Sequence, residues 1–243
     1  MIEFFQQLNW VAVGQIILID LLLGGDNAIL IAMACRNLSP EMRVKGILWG
    51  TAGAIVIRIV LISFAVALLQ VPFLKLIGGI ALLWIGVKLL LDDNGAHDDV
   101  PASDRLSGAI KTIIIADLVM SIDNVMAIAS AAEQASGPHQ FGLIVFGILI
   151  SIPIVVWGST LVLTLMERFP FIITFGAGLL GYLGGAMMVS DTILVDQLQA
   201  ALPPALLRLS VLGASFSVPG LLAGALVIIL GFMLSRKKEA IAK

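Results

Sequence analysis

Asp20-Leu-Leu-Leu-Gly-Gly-Asp26-Asn27-Ala28 lies in the middle of an apolar stretch, with Ile16 to Ile19 before it and Ile29 to Ala34 after it. A second stretch, Asp117-Leu-Val-Met-Ser-Ile-Asp123-Asn124-Val125, repeats the pattern of an Asp, five residues, then Asp-Asn. Both Asp positions recur at an offset of 97 residues. An ionisable side chain at the depth of a bilayer core costs ~2.5–3.5 kcal/mol even on the lenient insertion scale. Four such carboxylates call for a functional explanation before a structural one.

The surrounding composition makes the membrane reading firm. Of 243 residues, 60% are hydrophobic and only 12% charged, against about a quarter charged in a soluble domain. Apolar runs long enough to cross hydrocarbon recur along the whole chain, and only helices or closed barrels satisfy their backbone in lipid. These runs are too long, and alternate too little, for barrel strands. The expected fold is therefore an all-α membrane protein, residues 1–243 forming one membrane domain. Its seven transmembrane helices fall at roughly 9–35, 44–70, 73–91, 108–134, 140–166, 169–189 and 214–235. Met1-Ile-Glu-Phe-Phe lacks a basic n-region, so no cleaved signal peptide is expected. The net charge of -2 comes with no basic stripe, so no nucleic-acid partner is expected. The lone Cys35 has no disulfide partner and reads as a small buried apolar residue.

Orientation follows the basic residues. Arg36, Arg43, Lys45, Lys88, Arg105, Lys111, Arg168, Arg236, Lys237 and Lys238 all fall on one side of a seven-span chain. The N-terminus is placed outside and the C-terminus in the cytoplasm of a bacterial inner-membrane protein. An acidic linker, residues 92–107, holds Asp92, Asp93, His97, Asp98, Asp99 and Asp104 and reads as a solvated cytoplasmic connector, a cation-attracting patch being the alternative. It separates a first three-helix repeat at 8–91 from a second at 108–191, leaving the helix at 214–235 without a counterpart. Gly78-Gly79-Ile-Ala-Leu-Leu-Trp84-Ile-Gly86 also resembles Gly176-Ala-Gly-Leu-Leu-Gly-Tyr182-Leu-Gly184. Three spans is an odd number, so the second repeat enters from the opposite side. Inverted repeats with a midplane site between them are a common transporter architecture.

The motif chemistry points to a cation. Asp20 and Asn27 share a helix face, since seven residues nearly complete two turns, while Asp26 points about 120° away. A helix break at Gly24-Gly25 would turn both carboxylates and the freed carbonyls toward one point; a break in the second copy, which has Ser121-Ile122 there, is less expected. Carboxylates, amide oxygens and carbonyls suit a hard divalent ion such as Mg, Ca or Mn. The candidate ligands are Asp20, Asp26, Asn27, Asp117, Asp123 and Asn124. The motifs contain no His or Cys, which argues against a dedicated Zn or Cu site. Met120 is read as a core filler rather than a thioether ligand. Arg58 sits mid-span in the second helix, either as a gating group that neutralises the empty site or as a static counter-ion. Pro153, beside Ser151, is expected to kink the fifth span. The glycines of the sixth span suggest close helix packing, and Asp191 and Asp196 read as solvated.

These residues resemble the TerC-like family of integral membrane proteins, closest to its bacterial branch linked to manganese-responsive control. The resemblance covers roughly residues 8–235 and rests on Gly24-Gly25-Asp26-Asn27-Ala28 and Ser121-Ile122-Asp123-Asn124-Val125, with Asp20 and Asp117 upstream. It implies an exporter of divalent cations with Mn2+ as leading substrate, no tightly bound cofactor and no enzymatic activity. Beyond the lipid bilayer and the cation, a second copy of the chain or a component of the export machinery are the partners left open. Carboxylates forced together repel, and sharing a proton relieves them, which offers a handle for proton coupling. Moving a 2+ ion outward against the usual membrane potential needs such a coupled source. Two other functions fit parts of the pattern. An intramembrane aspartyl protease uses two facing Asp, but its Gly-x-Gly-Asp signature lacks its first glycine in Leu23-Gly24-Gly25-Asp26. A transporter conferring resistance to a tellurium oxyanion is opposed by the negative charge of the motifs.

Overall fold

The computed structural model describes residues 14, 17, 25–64, 71–91, 101–134, 140–201, 203, 207–211 and 214–241, with the side chains of 123–134, 140–144 and 208–215, among others, outside the description. Seven helices overlap the seven expected spans, most of the first span before Gly25 lying outside the described residues: α1 (Gly25–Cys35), α2 (Pro40–Ser63), α3 (Leu74–Leu91), α4 (Ala102–Gln134), α5 (Gln140–Arg168), α6 (Phe171–Val189) and, after the short α7 (Leu194–Ala201), α8 (Val218–Ile241). Among the described residues, five of them carry a stretch that is long and apolar enough to cross a membrane: α2, α3, α5, α6 and α8. Trp49, Trp84, Trp157, Leu222 and Met233 project outward from the bundle. In a chain of this composition, lipid covers them. Lys88, in the last turn of α3, lays its ammonium 5.3 Å from the centroid of the Trp84 ring, an aromatic-cation contact suited to a side chain reaching for the interface.

Two helices begin earlier than their apolar runs. α2 opens at Ser39-Pro40-Glu41, with Ser39 extended, Pro40 in the first turn and Glu41 beside it. Pro pre-sets the first helical φ, and an acidic side chain complements the positive helix end. α4 starts at Ala102 rather than 108 for similar reasons. The Pro101 carbonyl accepts the N–H groups of Asp104 and Arg105 at 3.0 and 3.2 Å, so the last third of the expected linker is helical. α4 also runs unbroken through Ser121-Ile122-Asp123. The break expected at Gly24-Gly25 falls at the edge of the described residues.

The last span differs more. Residues 214–217 are a strand, not the start of a helix. β1 (Arg208–Val211) and β2 (Ala214–Ser217) form an antiparallel hairpin in the register Ser210 opposite Ser215. The period-two pattern Leu209-Ser210-Val211 and Ser215-Phe216-Ser217 fits a strand. The Tyr182 hydroxyl accepts the Ser217 N–H at 3.2 Å, and the Ser217 hydroxyl accepts Gly220 N–H at 3.2 Å, capping α8.

Packing sorts the helices into two groups. α3, α6 and α8 pack on one another, while α2 packs on α4 and α1 on α5, with α1 also touching α4 and α2 touching α5. Glycines bring the first group's backbones together. A Cβ on Gly79 would lie 2.5 Å from the Gly184 carbonyl oxygen, and one on Gly181 2.8 Å from the Gly224 Cα. The glycines of the sixth span thus serve close helix packing. The apolar core runs through both groups and includes Leu30, Met33, Ile85, Ile113, Met120 and Leu180. Met120 is core, as is the fully buried Cys35.

One expectation is overturned. Asp191 is buried rather than solvated. Its carboxylate accepts the Leu76 N–H at 3.3 Å and the Ile193 N–H at 3.1 Å. It thereby satisfies an orphan donor in the first turn of α3 and sits where a helix N-terminus favours negative charge. The side chain of Asp196 is outside the described residues.

At the opposite ends of these helices an arginine network ties the α1–α2 connection to its neighbours. Arg43 donates to the Leu38 and Arg36 carbonyls at 2.9 and 2.7 Å and pairs with Glu167 of α5 at 2.6 Å. Arg36 donates to the Leu89 carbonyl of α3 at 2.7 Å.

Candidate functional site

Residues of four helices line a small cavity among the described residues. α1 contributes Asn27 and Ile31, α2 contributes Thr51, Ala54, Ile55 and Arg58, α4 contributes Asp117, and α5 contributes Ile148, Ser151, Ile152 and Val155. Thr51, Asp117 and Ile152 lie near the middle of three membrane-length helices. The cavity therefore sits about halfway through the bundle. It encloses about 20 Å³, room for one water-sized body, which needs roughly 10–15 Å³.

The α2 and α5 walls carry the same spacing, one stripe of a helix at i, i+3, i+4 and i+7. They are also related by the offset that relates the two acidic motifs. Adding 97 carries Thr51 to Ile148, Ala54 to Ser151, Ile55 to Ile152 and Arg58 to Val155. The two walls occupy equivalent positions but differ in chemistry. The α2 wall holds a hydroxyl and a guanidinium where the α5 wall holds Ile and Val.

The charged centre is a buried pair. Arg58 Nη2 donates to Asp117 Oδ1 at 2.6 Å, and the two side chains are 6% and 5% exposed. Arg58 Nε donates to the Ser121 hydroxyl at 3.2 Å, and that hydroxyl donates to Asp117 Oδ2 at 3.1 Å. Ser121 lies one turn beyond Asp117 on the same face, so a continuous α4 presents both to α2. Charge-assisted bonds at this depth are strong, and each partner is costly without the other.

Near this pair lie buried oxygens without a hydrogen-bond partner. Asn27 Oδ1 and Asp26 Oδ1 are buried and lack hydrogen-bond partners, as does Thr51 Oγ1. Asp26 lies within electrostatic reach of Asp117 and Arg58, though it does not line the cavity wall. Buried polar groups are nearly always paired, so two orphaned oxygens on the cavity wall, those of Asn27 and Thr51, with that of Asp26 beside them, mark a place for a ligand that attracts oxygen.

Of the residues singled out from sequence, the structure brings Asn27, Arg58 and Asp117 to the cavity and Asp26 beside it. Asp20 lies outside the described residues. Asp123 and Asn124 continue the α4 backbone beyond Asp117, with side chains outside the description. Among the described residues, no three His, Cys, Asp or Glu side chains converge. Sequence reasoning missed Thr51. The one signal for it is its spacing, seven residues before Arg58 and so on the same face of α2.

The integral membrane protein TerC family matches residues 5–239. The chain belongs to the TerC family. It is an integral membrane protein that crosses the bilayer several times and contacts lipid along its length. It is 46% identical over 173 residues to the uncharacterized membrane protein YjbE of Bacillus subtilis, spanning 71% of this chain and 77% of that one. With the membrane protein YkoY of the same organism it shares 28% identity over 180 residues, 67% of this chain and 55% of YkoY. With the inner membrane protein YgdQ of Escherichia coli it shares 23% over 179 residues, 66% and 73% of the two chains. No solved structure matches this TerC-family chain.

Proposed function

We propose that this TerC-family protein is a secondary transporter that exports divalent cations, Mn2+ foremost, through the cavity between α1, α2, α4 and α5. The observation that carries this reading is the partnerless buried oxygen of Asn27 on the same cavity wall as a buried Arg58–Asp117 pair at mid-length of the bundle, with that of Asp26 beside it. Hard oxygen donors suit Mn2+, Mg2+ and Ca2+, and the TerC membership favours Mn2+ among them. Asp20, Asp123 and Asn124 complete the ligand set by the repeat of the motif. Arg58 acts as the resident cation. It neutralises Asp117 until an arriving ion competes for the same carboxylate, and the exchange changes the contact of α2 with α4. Protonation of the carboxylates drives release and couples export to inward proton movement.

The two equivalent cavity walls, and the pairing of α2 with α4 and α1 with α5, support inverted repeats around the site. The clustering of Arg36 and Arg43 with the ends of α3 and α5 supports a cytoplasmic face there, with the N-terminus outside. A protease dyad needs two carboxylates sharing a proton, whereas Asp117 is engaged by Arg58 and Ser121.

Equilibrium binding tests the site. Purified protein titrated with Mn2+, with free ion followed by electron paramagnetic resonance, is expected to bind Mn2+ in the wild type. Asp26→Asn and Asp117→Asn should each weaken binding by ~10-fold or more. Unaltered binding in both variants would remove the cavity from the account.

A further inference from the structure

Thr51 differs from several other helical hydroxyls among the described residues. Thr112 donates to the Gly108 carbonyl at 2.9 Å, Ser159 to Val155 at 2.7 Å and Thr164 to Thr160 at 3.0 Å, each closing onto its own helix. Such a back-bond is open to any hydroxyl inside a helix, because the carbonyl one turn earlier is within reach. Ser151, across the cavity on α5, takes the same course and donates to Ile148 at 2.8 Å. Thr51 does not. It is 4% exposed, its hydroxyl has no partner, and it lines the cavity beside Asn27, which is also 4% exposed with its amide oxygen unpartnered.

A buried hydroxyl held away from an available acceptor loses a bond that its helix would supply. That loss is offset when something else occupies the oxygen's lone pairs. The cavity is too small for a hydrated ion and large enough for a bare one or a single water. The repeat-equivalent position, Ile148, carries no oxygen, so the arrangement belongs to the α2 wall alone.

We propose that the Thr51 hydroxyl is a ligand of the transported cation, forming with the Asn27 amide oxygen a neutral pair of donors opposite Asp117. This rests on the transport reading above and adds a residue to it. Neutral donors at one side of a divalent site lower its total negative charge, which weakens binding enough for the ion to leave again. Two of the oxygens that replace the ion's water come pre-placed on α1 and α2.

The test uses Mn2+ binding and denaturation of the metal-free protein, for Thr51→Val and Thr51→Ser. Val keeps the shape and removes the oxygen; Ser keeps the oxygen. Thr51→Val is expected to weaken Mn2+ binding by ~10-fold or more, Thr51→Ser to bind near the wild-type level, and metal-free Thr51→Val to unfold no earlier than wild type, since it loses a hydroxyl that bonds nothing. Wild-type affinity in Thr51→Val overturns the proposal while leaving the transport reading intact. So does a Thr51→Val protein that unfolds earlier without metal, which would make the hydroxyl structural. A wild-type protein that binds no divalent ion overturns the transport reading itself, and this assignment with it.

Discussion

Arg58→Ala is expected to destabilise the protein by ~3–5 kcal/mol, the scale of removing one partner from a buried ion pair. The Arg58 and Asp117 side chains are 6% and 5% exposed, so water cannot take over the charge that is left. Ser121 would keep its bond to Asp117 Oδ2, but a hydroxyl does not neutralise a carboxylate. The measurement is the denaturation midpoint of purified protein in detergent. Adding Asp117→Asn to Arg58→Ala should recover much of the loss, because the second change removes the stranded charge rather than a further interaction. A well-packed apolar pair, Arg58→Met with Asp117→Leu, should fold at least as well as either single variant and should bind no Mn2+. Such a result would separate what the pair does for the fold from what it does for the ion. If Arg58→Ala leaves both stability and transport at wild-type levels, the resident-cation and the static counter-ion roles both fail.

Gly184→Leu is expected to cost ~3 kcal/mol, at the upper end of the usual range for overpacking a tight contact. A Cβ there would meet the Gly79 carbonyl oxygen at 2.7 Å. The obstacle is backbone on the facing helix, so no side-chain rotation relieves it, and α3 and α6 must move apart. α8 packs on both, so the whole group loosens. Gly108→Ala is the control. A Cβ at Gly108 has nothing within 4 Å, and replacing a helical glycine by alanine gains up to ~1 kcal/mol of helix propensity. A lower midpoint for Gly184→Leu with an equal or higher one for Gly108→Ala bears out the packing. Equal behaviour of the two would contradict a tight α3–α6 backbone contact.

The helices were legible because lipid leaves the chain little choice: a long apolar run has to close its own hydrogen bonds. Their ends were less so. A hydropathy window sees where a helix turns apolar, not where it starts. The polar first turns at Pro40-Glu41 and Ala102-Asp104 therefore fell outside the expected spans, although Ser39-Pro40 and Pro101 carried the start signals. The hairpin was hidden for the same reason, since Ala214 to Ser217 sit against an apolar run and their period-two alternation is only a few residues long. Asp191 gave no local sign of its role. Its partner, the first turn of α3, is more than a hundred residues away in sequence, and a carboxylate after a helix reads as solvated until the fold brings a free N–H to it.

At the site, charge was the readable part. Asn27, Arg58 and Asp117 stood out because polar groups in an apolar helix are expensive, and the structure sets all three around one cavity. Thr51 carried no such cost in the sequence, because a lone hydroxyl in a helix ordinarily bonds its own backbone. Only the structure shows that this one does not. The equivalence of the α2 and α5 walls was present in the numbers all along, as the same offset of 97 residues, but nothing pointed to those stripes before the cavity named them.

Divalent-ion flux across proteoliposomes holding the purified protein tests the central claim most directly, with Mn2+ compared to Mg2+ and Ca2+ and wild type compared to the double variant Asp26→Asn/Asp123→Asn. The account predicts Mn2+ flux in the wild type that responds to an imposed pH gradient at fixed voltage, and none in the double variant although it remains folded. No flux of any divalent ion under pH and voltage gradients, or Mn2+ flux that survives the double substitution, would contradict it.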